Sequence, residues 1–328
     1  MKPKNPNLTT IKIKRAFLFL FGLIFFLFPS NNWYSIVQAT YQPPKIQPIE
    51  LELPRVADYP VNFTEIPAPS LTAKSIIVVD RDSAVVMFAK DERVQLLPAS
   101  TVKLMTALVV LDYYDLESTL TVIGINNQGQ DMRLKGGEVM TVKSLLFGVL
   151  VASANDAATL LAQNYPGGEK GFVEAMNEKA KELNLNDTYF VNPTGLDIDE
   201  KGNLLVGYSY STALDLARLA SLVIKEPLLG EMVATPKIVV TNTTGQFEHV
   251  LYNINELLSW LPGMKGVKTG WTEEAGECLV GYVERDGRGI ITVILGSQDR
   301  FGETARLVDW AFSNYRWENI APTISPSN

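Results

Sequence analysis

Ser100 and Lys103 stand three residues apart at the head of an apolar run that follows Pro98. Positions i and i+3 share one face of a helix. That spacing brings an amine to a hydroxyl, so the serine can be activated without a histidine. The chain has a single histidine, His249, and cannot build two His-dependent sites. Two further polar triplets follow, Ser153-Ala154-Asn155 and Lys268-Thr269-Gly270. The set reads as a serine acyl-transfer enzyme that runs on lysines.

Such chemistry makes demands that the sequence can be checked against. Lys103 accepts a proton only when neutral, so its pKa must fall. Desolvation beside Leu104 and a second positive charge at Lys268 both push it that way. A position near a helix N-terminus gives Ser100 a field that favours negative charge. Acyl transfer also needs two donors aimed at the developing oxyanion. The backbone N–H groups of Ser100 and of Trp271, just after Lys-Thr-Gly, are the natural pair. Gly270 would let a substrate backbone come close to its strand. Ser153 is placed to relay a proton to the leaving amine, and Asn155 to hold either Lys103 or a substrate amide.

The elements that carry these residues follow from the pattern. Ser75–Asp80 and Ala84–Ala89, rich in branched residues around a polar turn, read as a β-hairpin. Thr101 to Tyr114 reads as a largely buried helix. Val142 to Val151 reads as another, broken at Ser153–Asp156 and resuming through Ala162, with Asn155 or Asp156 as its cap. Gly171–Leu183, Ser211–Ile224 and Glu303–Phe312 have helical spacing, and Cys278–Glu284 and Ile290–Gly296 read as strands around a turn. Strands lie at both ends with helices between them. The expected class is therefore α/β in its α+β form: one antiparallel sheet joining N- and C-terminal strands, with a helical subdomain packed on it. No internal repeat and no second domain is visible.

Composition sets the wider frame. The 328 residues are 46% hydrophobic and 20% charged, ordinary for a globular protein with a sizeable core. Residues 1–39 carry five basic side chains and no acidic one, then 13 apolar residues from Ala16 to Phe28, then Val37-Gln38-Ala39. They read as a secretory signal peptide, the apolar stretch being short of the ~20 residues that span a bilayer. The competing reading is an uncleaved N-terminal anchor that associates with the membrane. Without those residues 24 basic side chains face 36 acidic ones, net −12. That balance speaks against nucleic acid as a partner. Residues 40–72 hold seven prolines from Pro43 to Pro69 and read as an extended linker. The folded domain is expected over 73–316, with 317–328 a C-terminal tail. Cys278 has no partner cysteine and reads as a buried thiol. No cofactor and no metal is implied.

The wording of the segments goes further. Pro98–Leu108, which contains Ser100-Thr101-Val102-Lys103, closely resembles the active-site segment of the D-alanyl-D-alanine carboxypeptidases, the low-molecular-mass penicillin-binding proteins of serine peptidase family S11. So do Ser153–Ala158, Phe172–Asn177, Asn192–Leu196, Ser211–Ala213 and Gly266–Thr272 with Glu274–Gly276. The resemblance runs from about Ser75 to Phe312. It implies the penicilloyl-serine transferase fold, which serine β-lactamases share. It also implies removal of the terminal D-alanine from peptidoglycan stem peptides, acylation by β-lactams as covalent inhibitors, and export to the periplasm or the extracellular face of the bacterial cytoplasmic membrane. Ser100 becomes the nucleophile, Lys103 its base, and Ser153 with Asn155 the second catalytic element. Lys268 and Thr269 become substrate contacts, and Arg300 the grip on the substrate carboxylate.

Three departures stand out. Ala154 occupies a position where glycine is commonest, and Trp271 one where many relatives have histidine. The third is the C-terminal β-domain and amphipathic anchor of many relatives, for which the 18 residues after Trp310 leave no room. Rival readings are a β-lactamase, a D,D-endopeptidase and a catalytically silent cell-wall scaffold. Glu174, Glu178 and Glu182 fall on a helical pattern, which argues against a glutamate loop for deacylation. Intact Ser100, Lys103 and Lys268 argue against silence.

Overall fold

The computed structural model describes residues 58–124, 129–197 and 207–319. The expected signal segment and most of the proline-rich linker lie outside the described residues.

The frame is a five-stranded antiparallel sheet made of β2 (Ser75–Asp80), β3 (Val86–Lys90), β8 (Met264–Thr272), β9 (Gly276–Arg285) and β10 (Arg288–Ser297). Its order is β3-β2-β10-β9-β8, so the first hairpin is stitched to the last strands through β2 and β10, with Ile290 opposite Asp80 and Leu295 opposite Ser75. The inner strands β2, β9 and β10 read as apolar runs because both of their faces are covered. Ile77, Cys278, Val280, Ile291, Val293 and Leu295 join the large core under the helices. Their neighbours Ile76, Val78, Leu279, Val283, Ile290 and Ile294 turn the other way, onto Leu307, Val308 and Ala311 of the last helix, Arg300–Asn314. One residue of slip would exchange the two faces.

The helices between the strands form the second body. They are α1 (Lys103–Tyr113), α2 (Val142–Leu150), α3 (Asn155–Gln163), α4 (Gly168–Glu182), α5 (Ala213–Lys225), α6 (Pro227–Ala234) and α7 (Leu257–Trp260); the last helix is α8. Thr141 caps α2 by accepting from Ser144 N, and Thr212 caps α5 by accepting from Asp215 N. Among the described residues three two-stranded ribbons accompany them. They pair β1 (Tyr59–Asn62) with β11 (Tyr315–Glu318), β4 (Thr119–Thr121) with β5 (Val139–Thr141), and β6 (Lys237–Thr241) with β7 (Glu248–Tyr252).

The ribbon of β1 and β11 departs from the sequence reading. Tyr59 pairs with Glu318 and Asn62 with Tyr315, so part of the expected linker and of the expected tail is ordered structure. Pro60 fits there because a two-stranded ribbon has an open edge that needs no N–H from it. The segment is then clasped to α8: Trp310 Nε1 donates to the Ile66 carbonyl, and buried Glu303 accepts from the backbone of Thr72 and Ala73. Trp317 stacks on Phe312 and donates to Asp80 Oδ1 at 2.6 Å, which is more than packing.

Candidate active site

The turn that carries Ser100 is tighter than the sequence reading has it. Ala99–Val102 is a 3₁₀ turn, and the α-helix begins only at Lys103. With three residues per turn, positions i and i+3 eclipse, so the spacing of Ser100 and Lys103 suits this geometry better still. Lys103 Nζ lies 3.0 Å from Ser100 Oγ, 2.6 Å from Asn155 Oδ1 and 2.6 Å from the Thr194 carbonyl oxygen. A neutral amine has two N–H donors and one lone pair. Asn155 Oδ1 and the Thr194 carbonyl are acceptors only, so they take both donors and leave the lone pair for the serine hydroxyl.

Electrostatics favour the same state. Lys103 is fully buried, and burial pushes its pKa well below the ordinary lysine value, with the charge of Lys268 adding to that and Asp156 opposing it. Lys268 is itself pushed down to about 7, first by burial and then by Arg300. It donates to Ser153 Oγ at 2.8 Å and to the Thr269 carbonyl at 2.9 Å. A first prediction concerns this coupling. Lys268→Gln removes a charge that depresses Lys103, so the acid limb of acylation should move to higher pH when rates are followed between about pH 5 and 10. An unmoved limb would assign the whole depression of Lys103 to burial.

The other expected residues gather at the same place. Ser100, Ser153, Asn155, Thr269, Gly270, Trp271 and Arg300 line one cleft of about 560 Å³, and Lys103 and Lys268 lie buried beneath, bonded to Ser100 and Ser153. Lys268, Thr269 and Gly270 lie on β8, the sheet's edge strand. Gly270 also has a close neighbour within the protein. An added Cβ there would lie 3.0 Å from Ser100 N, so its bareness permits the close approach of the Ser100 turn. Trp271 is 61% exposed and borders the mouth without filling the cleft. Ala154 has φ −63°, where a methyl costs nothing, so glycine is not needed. Two non-glycine residues flank the chemistry in the left-handed region, Ala99 at φ 47° and Ser153 at φ 56°. Arg300 opens α8 and reaches the Gly270 carbonyl at 3.4 Å and Glu277 at 3.8 Å, while its Nε is buried with no hydrogen-bond partner.

Several supporting residues went unread as parts of the site. The loop Asn192–Leu196 delivers the Thr194 carbonyl to Lys103. Asn192 Oδ1 accepts from Thr194 N, Thr194 Oγ1 and Gly195 N, and Thr106 Oγ1 ties the Pro193 carbonyl to α1. The signal was the Asn-Pro-x-Gly turn, but a carbonyl has no sequence signature of its own. Asp156 does not cap α3 in the way expected. It accepts from Met132 N and Leu134 N at 3.0 Å each as well as from Ala157 N at 2.8 Å, and so pins the loop whose Gly129 and Gln130 face the cleft. Away from the cleft, His249 bonds the Met132 carbonyl and Glu138, and the buried Cys278 thiol is pushed up to about 11 by burial.

Gly195 gives a second prediction. Its φ is +80°, and an added Cβ would lie 2.1 Å from the Ala99 carbonyl oxygen, one residue before Ser100. Both partners are backbone, so neither can swing aside. Gly195→Ala should cost about 2–4 kcal/mol of stability in urea unfolding and displace the Ser100 turn, slowing acylation as well.

A serine and a buried lysine on this sheet-and-helix frame are what the DD-peptidases and the serine β-lactamases have in common. The crystal structure of a D-alanyl-D-alanine carboxypeptidase from Mycobacterium tuberculosis is similar with a TM-score of 0.69 and 32% identity, covering 80% of this chain and 97% of that one. The family model described as D-alanyl-D-alanine carboxypeptidase, peptidase family S11, matches residues 62–299, and the chain belongs to that family. Among curated relatives, the D-alanyl-D-alanine carboxypeptidase DacF of Bacillus subtilis is 34% identical over 74% of this chain, which spans 63% of that protein's length. A D-alanyl-D-alanine endopeptidase of Pseudomonas aeruginosa is 33% identical over 73% of this chain and 77% of its own.

Proposed function

We propose that this serine peptidase removes the terminal D-alanine from peptidoglycan stem peptides through an acyl-enzyme on Ser100. The observation that carries the reading is the Lys103 amine, buried and held by two acceptors with its lone pair left for Ser100 Oγ. Lys103 takes the hydroxyl proton as Ser100 Oγ attacks the carbonyl carbon of the penultimate D-alanine. The backbone N–H groups of Ser100 and Trp271 receive the oxyanion. Ser153 passes its proton to the departing amine and takes one in turn from Lys268, to which it is bonded, and D-alanine leaves. Water then attacks the ester, Ser100 Oγ departs with the proton held on Lys103, and the proton lost by water goes through solvent to recharge Lys268. Lys268, Thr269 and Arg300 hold the terminal carboxylate, and the unpartnered Arg300 Nε supplies a donor for it. β-Lactams enter by the same attack and stay as covalent inhibitors.

Family relatives include both carboxypeptidases and endopeptidases. We favour carboxypeptidase action because Arg300 offers a charged partner for the free terminal carboxylate of a stem peptide. Glu174, Glu178 and Glu182 do not line the cleft, which speaks against their serving a β-lactamase water. The basic, then apolar N-terminus supports export, to the periplasm or the extracellular face of the membrane, with the N-terminal segment as signal or anchor. Among the described residues no helix is long and apolar enough to cross a membrane.

The test is release of free D-alanine from a peptide ending in D-Ala-D-Ala, alongside labelling by a fluorescent penicillin. Release with stable labelling is expected. Labelling lost within seconds by hydrolysis would make the enzyme a β-lactamase, and neither release nor label would make it a silent scaffold.

A further inference from the structure

Past Trp271 the cleft changes character. Asp197, Glu273, Glu274 and Glu277 line it there, and Arg300 is the one basic side chain among the described lining residues. Asp197 differs from the other three acids, which reach water. It is only 6% exposed, and its Oδ2 is buried with no hydrogen-bond partner. Burial holds its carboxyl above the usual carboxylate range, a hydrogen bond to Thr272 pulls it back, and the Glu274 charge pushes it up again. A buried acceptor without a donor is rare in folded proteins and calls for an explanation. A ligand that brings both a donor and a positive charge supplies one.

The direction of the substrate says what that ligand is. On the reading above, the terminal carboxylate lies against Lys268, Thr269 and Arg300, and the reacting carbonyl lies between Ser100 and Trp271. The rest of the acyl half then continues along β8 past Trp271, toward Thr272–Glu274 and the Asp197 wall. We propose that Asp197, with Glu273 and Glu274 beside it, is a subsite for a primary ammonium on the side chain of the residue that precedes the two D-alanines. This deepens the carboxypeptidase reading and rests on it. The carboxylate accepts an N–H of the ammonium, and the flanking acids attract the cation and repel acidic side chains.

Two peptides test the subsite with the full chain: Nα-acetyl-lysyl-D-Ala-D-Ala with its ε-amine free, and the same peptide with the ε-amine acetylated. The ratio of their kcat/KM values is the readout. The free amine should be favoured about tenfold, the scale of one charge-assisted hydrogen bond. That ratio should fall toward one in Asp197→Asn, and by a smaller factor in Glu274→Gln and on raising salt. Glu274 is exposed, so its variant reports even if the Asp197 variant fails to fold. A wild-type ratio near one overturns the subsite alone, provided the acetylated peptide still yields D-alanine. Variants that slow both peptides equally and keep the ratio also overturn it. No release from either peptide would remove the carboxypeptidase reading and the subsite together.

Discussion

Lys103→Gln should slow acylation of Ser100 by a fluorescent penicillin about 10²- to 10⁴-fold, the range a positioned general base contributes. Glutamine keeps much of the volume and a polar end but has no basic nitrogen. Lys103 reaches Ser100 Oγ at 3.0 Å, and its other two partners are acceptors. The loss should therefore appear in the rate of acylation rather than in how tightly the penicillin first binds. Stability separates this loss from misfolding. The folded pKa of Lys103 lies well below the unfolded lysine value of 10.5. Between the two values the unfolded chain binds more protons, so stability rises with pH there. Lys103→Gln removes that contribution. The wild type should thus gain melting temperature relative to the variant as pH rises, and the variant should be comparatively most stable on the acid side. A variant that lost activity and melted far lower at every pH would mean that Lys103 chiefly supports the fold.

Ser100→Ala carries the larger effect: D-alanine release and penicillin labelling should both fall to background, more than about 10³-fold. Among the described residues the Ser100 hydroxyl has one hydrogen bond to the site, donated to the Lys103 lone pair, so the variant should fold and melt near the wild type. Lys103 then lacks its third partner but keeps Asn155 Oδ1 and the Thr194 carbonyl. Labelling that survived in Ser100→Ala would place the nucleophile elsewhere, with Ser153 the next hydroxyl in the cleft.

Much of this arrangement was legible in the chain because it is carried by side chains at short, regular spacings. The interval between Ser100 and Lys103 survives the change from α-helix to 3₁₀ turn because both geometries put i and i+3 on one side. The apolar runs of β2, β9 and β10 announced strands, and their lack of alternation marks a sheet covered on both faces. What stayed hidden depends on closure over long distances or on the backbone. The pairing of Tyr59–Asn62 with Tyr315–Glu318 joins segments that neither composition nor periodicity relates. The hairpin of Lys237–Thr241 and Glu248–Tyr252 and the helix Pro227–Ala234 were not read at all. The Thr194 carbonyl reaches Lys103 through a turn whose residue types are visible but whose target is not. Asp197 looks like any loop aspartate until its burial and its unpartnered oxygen are seen.

The chemistry of the site turns on one proton. If Lys103 is the base for Ser100, its amine must be neutral in the resting protein near neutral pH. Heteronuclear NMR of lysine labelled at Nζ, with the Lys103 resonance assigned through Lys103→Gln, reads that state directly. We expect a neutral amine at about pH 7, titrating only on the acid side of the ordinary lysine value of about 10.4. An ammonium signal from Lys103 that persists above about pH 9 would contradict the account, because a charged lysine has no lone pair with which to take the serine proton.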